Sequence, residues 1–141
     1  MSGINTGKVI VGGLVAGVVF NVLDILNGML IMAEDFKANA VRLGLDPAAG
    51  ESSAAIATWV VIDFLAGILV VWTYAAMRPR FGPGPKTAAY AGLVIWVSVN
   101  LIMFGLTTTG MMTMATVVKM ALIQLVITMA GSITGAAVYK E

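Results

Sequence analysis

Two carboxylates, Asp24 and Asp63, fall inside long apolar runs of the chain, and amide side chains recur in comparable runs at Asn21, Asn100 and Gln124. An ionised carboxylate at the centre of a bilayer costs at least ~2.5 to 3.5 kcal/mol on insertion scales, so each needs a partner, a proton, a bound cation or water. Carboxylates brought close together can share one proton. The chemistry open to these groups is therefore binding of a proton, a small cation or a cationic solute. The structural alternative stays open beside it: each acid held by Asn21, Asn100 or Trp59 and serving only to fix helix register.

Composition narrows what else the chain can do. Of 141 residues, 60% are apolar and 11% charged, against roughly 45–50% apolar in soluble domains, and the mean hydropathy is +0.98. A formal net charge of +1 gives no basic surface with which to hold nucleic acid. The chain has no Cys and no His, which removes thiol nucleophiles, Cys-type zinc sites and the usual general base and haem ligand. Ser52, Ser53, Ser98 and Ser132 have no base to activate them, and no phosphate-cradling glycine loop is present. The expectation is a membrane protein that is not an enzyme and carries no cofactor.

The elements that must position the polar groups are membrane spans, each needing about 20 mostly apolar residues. Four such runs occupy about residues 9–32, 54–77, 87–106 and 112–139, in one domain covering 1–141. The first resembles a signal peptide in place only; it is too long and runs through Asn21 and Asp24 without a cleavage site. Lys8, Arg78, Arg80, Lys86 and Lys140 lie on one side of the bundle, while Lys37 and Arg42 lie on the other among Glu34, Asp35, Asp46 and Glu51. Basic loops stay inside, so both termini are expected in the cytoplasm. In the outer segment 33–53, Phe36, Ala40 and Leu43 recur at helical spacing and predict a short interfacial helix ending near Gly44 and Asp46-Pro47.

Polar groups in hydrocarbon turn inward. Helical spacing then gives four stripes: Gly13, Gly17, Asn21, Asp24 and Gly28; Trp59, Asp63, Ala66 and Tyr74; Gly92, Trp96, Asn100, Met103 and Thr107; and Gln124, Thr128, Gly131 and Gly135. The pairs Gly13/Gly17, Gly131/Gly135 and Ala88/Gly92 place small residues four apart near the inner end, where helices should pack closely. The polar side chains gather towards the outer end. A weak repeat runs through the pattern: Gly13-Leu14-Val15 with Asn21 matches Gly92-Leu93-Val94 with Asn100, and Ala66-Gly67 with Tyr74 matches Ala130-Gly131 with Tyr139. Two duplicated hairpins of one orientation would produce it.

Three features remain. Lys119 sits about 140° around its helix from Gln124 and is expected to snorkel outward, the alternative being a buried pair with an acid. Met29, Met32, Met103, Met111, Met112 and Met114 crowd the outer end; thioethers suit Cu(I), but Met is also a flexible apolar filler. In the segment from Arg78 to Thr87, Pro79 is expected to terminate span two and Pro85 to begin span three, while Arg78, Arg80 and Lys86 either set topology or bind lipid headgroups. This Arg-Pro-Arg-Phe-Gly-Pro-Gly-Pro-Lys-Thr loop, preceded by Trp72-Thr73-Tyr74-Ala75-Ala76, resembles that of a group of small, uncharacterised bacterial four-span membrane proteins. The resemblance implies a bacterial inner-membrane origin and no particular activity.

The sequence thus predicts an all-α four-helix membrane bundle with an outward-facing polar pocket of Asn21, Asp24, Asp63, Asn100 and Gln124, walled by Trp59 and Trp96. Such a pocket would bind or transport a small cation, a proton-linked solute or a cationic ligand, as a homo-oligomer in contact with lipid. The competing expectation is an accessory subunit of a larger membrane complex, its polar cluster serving assembly.

Overall fold

The computed structural model describes residues 3–139. Lys140, counted above among the basic residues of one side, lies outside the described residues. The chain forms α1 (Thr6–Leu30), α2 (Ala33–Arg42), a 3-10 turn (Ala49–Glu51), α3 (Ser53–Phe81), α4 (Pro85–Thr108) and α5 (Met114–Val138), with no strand among the described residues. Four of these, α1, α3, α4 and α5, are long and apolar enough to cross a membrane. The protein is an all-α, multi-pass membrane bundle whose outer surface is apolar, with Leu30 76% and Val126 69% exposed.

Local chemistry sets the helix ends. Asn5, Ser52 and Thr113 cap α1, α3 and α5 by accepting from the backbone N–H groups of Lys8, Ala55 and Thr116. Pro85 opens α4, as its missing N–H allows. Pro79 does not terminate α3: the helix continues to Phe81 and stops at Gly82, whose φ of 78° is a conformation that favours glycine. A proline this close to the end forfeits only one helical hydrogen bond, so the last turn survives. Similarly, α2 ends before Gly44, at φ 69°.

In the bundle α1 packs chiefly on α3 and α5, and α4 chiefly on α5. Gly13, Gly17 and Gly67 bring α1 and α3 together, and Gly12 and Gly135 bring α1 and α5 together, so closely that a methyl group on any of them would strike its neighbour. Close approach of small residues is what holds helices together where lipid removes the hydrophobic driving force. Most of the fully enclosed apolar residues (Val9, Ala16, Val70, Val71, Ala88, Ala91) lie in the half of the bundle that carries the termini, with Met32 and Val117 enclosed at the other end.

That end is closed by two tyrosines. Tyr74 at the end of α3 accepts the N–H of Gly84, the residue capping α4, and Tyr139 at the end of α5 accepts the N–H of Asn5, the residue capping α1. Their rings meet edge to face at 6.1 Å, and the Arg78 guanidinium lies over both. Tyr74→Phe strands the Gly84 N–H and is expected to lower stability by about 0.5–1.5 kcal/mol, read from thermal unfolding in detergent.

The two tyrosine contacts correspond. Asn5 and Gly84 are separated by the same interval as Gly13 and Gly92, and as Asn21 and Asn100. Both asparagines donate to the carbonyl four residues back, Gly17 and Trp96. Gly13 faces Gly67, and Gly92 faces Ser132, an interval identical to that between Tyr74 and Tyr139. The register pairs Gly67 with Ser132 rather than with Gly131, one residue away from the alignment expected from Ala-Gly dipeptides.

At the opposite end α2 lies against the α4–α5 turn. Asn39 and Arg42 both donate to the carbonyl of Met111 in the α4–α5 turn, at 3.1 and 3.2 Å, and Lys37 pairs with Glu51 at 3.8 Å. The expected interfacial helix is thus a strap tied to the α4–α5 turn and to the 3-10 turn before α3.

Candidate functional site

The polar cluster lies just outward of the glycine crossings of α1 with α3 and α5. Asn21, buried on α1, donates through Nδ2 to the carbonyls of Gly17 (2.9 Å) and of Val60 on α3 (3.3 Å). Its Oδ1 is buried and accepts no hydrogen bond among the described residues. One turn further out, Asp24 accepts from Nε2 of Gln124 on α5, so α1 is bridged to α3 by an amide and to α5 by a carboxylate. Asp63 on α3 is half-buried and sits about one turn inward of Val60, so the pairing of Gly17 with Phe64 and of Asn21 with Val60 places the two carboxylates on opposite sides, in depth, of the Asn21 contact. It accepts no hydrogen bond from the described residues. Two carboxylates thus flank an unpartnered amide oxygen, and no salt bridge joins either to a positive side chain among the described residues.

Lys119 does not supply that charge. Its Nζ reaches the outer rim of the bundle, 2.6 Å from Asp35 of α2 and 3.1 Å from the carbonyl of Ile31. The outward orientation follows from its position off the inward stripe; the partner on α2 had no signal in the sequence, because 84 residues separate the pair.

The remaining expected site residues divide. Trp96 faces α5, where its indole N–H donates to the carbonyl of Ala121 at 2.9 Å, and Asn100 is buried but spends its amide on Trp96 of its own helix. No hydrogen bond joins either to Asp24 or Asp63 among the described residues. Trp59 is no wall of a pocket: it is 63% exposed. The side of α3 that meets α1 runs through Val60, Phe64, Gly67 and Ile68, and Trp59 falls about 100° round the helix from Val60. The expected stripe through Trp59, Asp63 and Ala66 is therefore displaced by one residue from the true contact line. Asp63 sits beside that line, which leaves it partly open to the outside of the bundle.

Of the basic residues near the α3–α4 loop, Arg78 lies over the two tyrosine rings, whereas Arg80 and Lys86 are exposed, Lys86 lying 5.9 Å from the Tyr90 ring. The methionines are scattered: Met32 is enclosed, Met29, Met111 and Met114 are more than half exposed, and Met112 accepts from Asn39. Asn27 lies outside the expected stripe of α1. It is buried, yet its Oδ1 accepts no hydrogen bond among the described residues.

Comparison with known proteins finds no family model, no curated protein and no solved structure that matches this chain.

Proposed function

We propose that the chain is a small membrane protein that binds or transports a proton-linked solute, a small cation or a cationic ligand at the Asn21, Asp24 and Asp63 cluster. The observation that carries this reading is the placing of two half-buried carboxylates on either side of a buried Asn21 oxygen that accepts no hydrogen bond, with no positive side chain paired to them among the described residues. Acceptors arranged so are satisfied by protonation of a carboxylate or by a cation with oxygen ligands. Gln124 holds Asp24 in place from α5, and entry lies beside the α2 strap. The reading goes with a bacterial inner membrane, both termini cytoplasmic, Arg80 and Lys86 at the headgroups, and a homo-oligomer that covers the open flank of Asp63. It involves no catalysis.

The test is reconstitution into vesicles loaded with a pH-sensitive dye, with imposed gradients of alkali cations or of lipophilic quaternary ammonium ions. Asp63→Asn is expected to cut the flux at least tenfold while helix content and oligomeric state stay unchanged. Wild-type protein that neither binds nor moves any of these cations, nor protons, overturns the reading.

The exposed Trp59 beside the half-open Asp63 favours a second reading, in which another polypeptide covers this face of α3 and the chain is an accessory subunit. A distinct protein that copurifies at fixed stoichiometry and is lost on Trp59→Ala would support it.

A further inference from the structure

On the bundle's outer surface, at the end spanned by α2, a groove of about 460 Å³ runs between α1 and α5, lined by Leu23, Leu26, Asn27, Leu122, Val126 and Ile127 among others. We propose that this groove is a specific phospholipid site that holds one acyl chain, with a zwitterionic headgroup carrying a primary ammonium seated at its mouth. The chemistry along the groove changes with depth in the order such a lipid requires. At the bottom, Leu23 and Ile127 offer only hydrocarbon. About one turn nearer the surface is Asn27, a buried amide whose Oδ1 accepts no hydrogen bond among the described residues; the Nδ2 of this amide can donate to the ester carbonyl of a glycerolipid. About a further turn out, Ile31 lines the rim and its carbonyl holds the Lys119 ammonium, which is paired with Asp35. Lys119 and Asp35 remain 43% and 31% exposed, so each has capacity to spare. One positive and one negative group side by side complement a headgroup that carries a phosphate and an ammonium, the phosphate on Lys119 and the ammonium on Asp35. A purely anionic headgroup would meet Asp35 as a like charge.

The site is independent of the Asp24 and Asp63 chemistry and is tested without it. The protein is released from micelles doped with equal amounts of phosphatidylethanolamine and phosphatidylglycerol, and its mass is read intact. The expected result is one retained phosphatidylethanolamine per chain. Lys119→Ala, and Val126→Trp, which fills the groove from an exposed position, each reduce retention about tenfold. Asp35→Asn abolishes the preference over phosphatidylglycerol. Leu101→Trp, an equally exposed substitution on α4, is the control for nonspecific boundary lipid. Equal loss with Leu101→Trp, unchanged retention with Val126→Trp, or wild-type protein that retains no lipid would each overturn the proposal. Circular dichroism on every variant separates lipid loss from unfolding.

Discussion

Replacing Gly67 with alanine is expected to lower stability by about 1–3 kcal/mol, and replacing it with leucine to prevent assembly of α1 on α3. A Cβ built on Gly67 runs into the backbone of Gly13 and Gly17. Backbone cannot rotate out of the way as a side chain does, so the two helices must separate, and every contact on both sides of the crossing is stretched with them. Gly131 makes a useful comparison. Its nearest obstacle is the Phe20 ring, which can tilt, so Gly131→Ala should be milder. Gly28→Ala has nothing within 4 Å to meet, and because alanine is the better helix former by up to ~1 kcal/mol it should be neutral or stabilising. Unfolding of the three variants in a denaturing detergent titration gives the order directly. If Gly67→Ala unfolds with wild type, the crossing is looser than described and the bundle is held by other means.

The same glycines show why so much of this fold was legible. In lipid the backbone must satisfy itself, so four apolar runs could only be helices, and small residues four apart could only mark close crossings. The ends of the apolar runs fall within a few residues of the helix ends; Pro85 marked one start, and the caps at Asn5, Ser52 and Thr113 fix the others. What failed was phase and partnership. On α3 nearly every residue is apolar, and the one-residue error that put Trp59 inside cannot be detected from periodicity when both candidate lines are equally greasy. The Lys119 to Asp35 pair failed differently: both residues were noticed, but nothing in a linear pattern says which carboxylate a long flexible side chain will choose. Asn27 is absent from the expected core because it sits off the stripe through Asn21 and Asp24 that helical spacing picks out, yet it is buried.

The near repeat carries the reasoning further. Applying its two intervals, Asp24 corresponds to Met103, Gln124 to Trp59, and Asp63 to Thr128. The structural elements, the tyrosine contacts and the small crossings, have counterparts in both halves; the charged cluster does not. A purely architectural polar tie would be as useful at the α3–α4 contact as at the α1–α5 contact. Its presence at one alone fits a cluster retained for what it binds, which is the argument for directing the first substitutions at Asp24, Asp63 and Gln124 rather than at the symmetric asparagines.

Gln124→Leu carries the other large expected effect. The amide gives Asp24 its hydrogen bond from the described residues, and leucine leaves a carboxylate facing hydrocarbon. Breaking a fully buried ionic pair costs about 3–5 kcal/mol, while polar contacts between membrane helices average near 0.6 kcal/mol. Asp24 is half-buried and its partner is a neutral amide, so the expected loss is about 2 kcal/mol, between these limits. Asp24→Leu with Gln124→Leu should recover part of that loss, because the stranded group goes with its partner. Additive single and double variants would mean that the two side chains do not meet. The function arm is separate: with Asp24 no longer oriented, cation binding by folded Gln124→Leu should weaken about tenfold while Asp63 is untouched. If binding is unaffected although stability falls, Gln124 is a strut between α1 and α5, and the site consists of Asn21 and the two carboxylates alone.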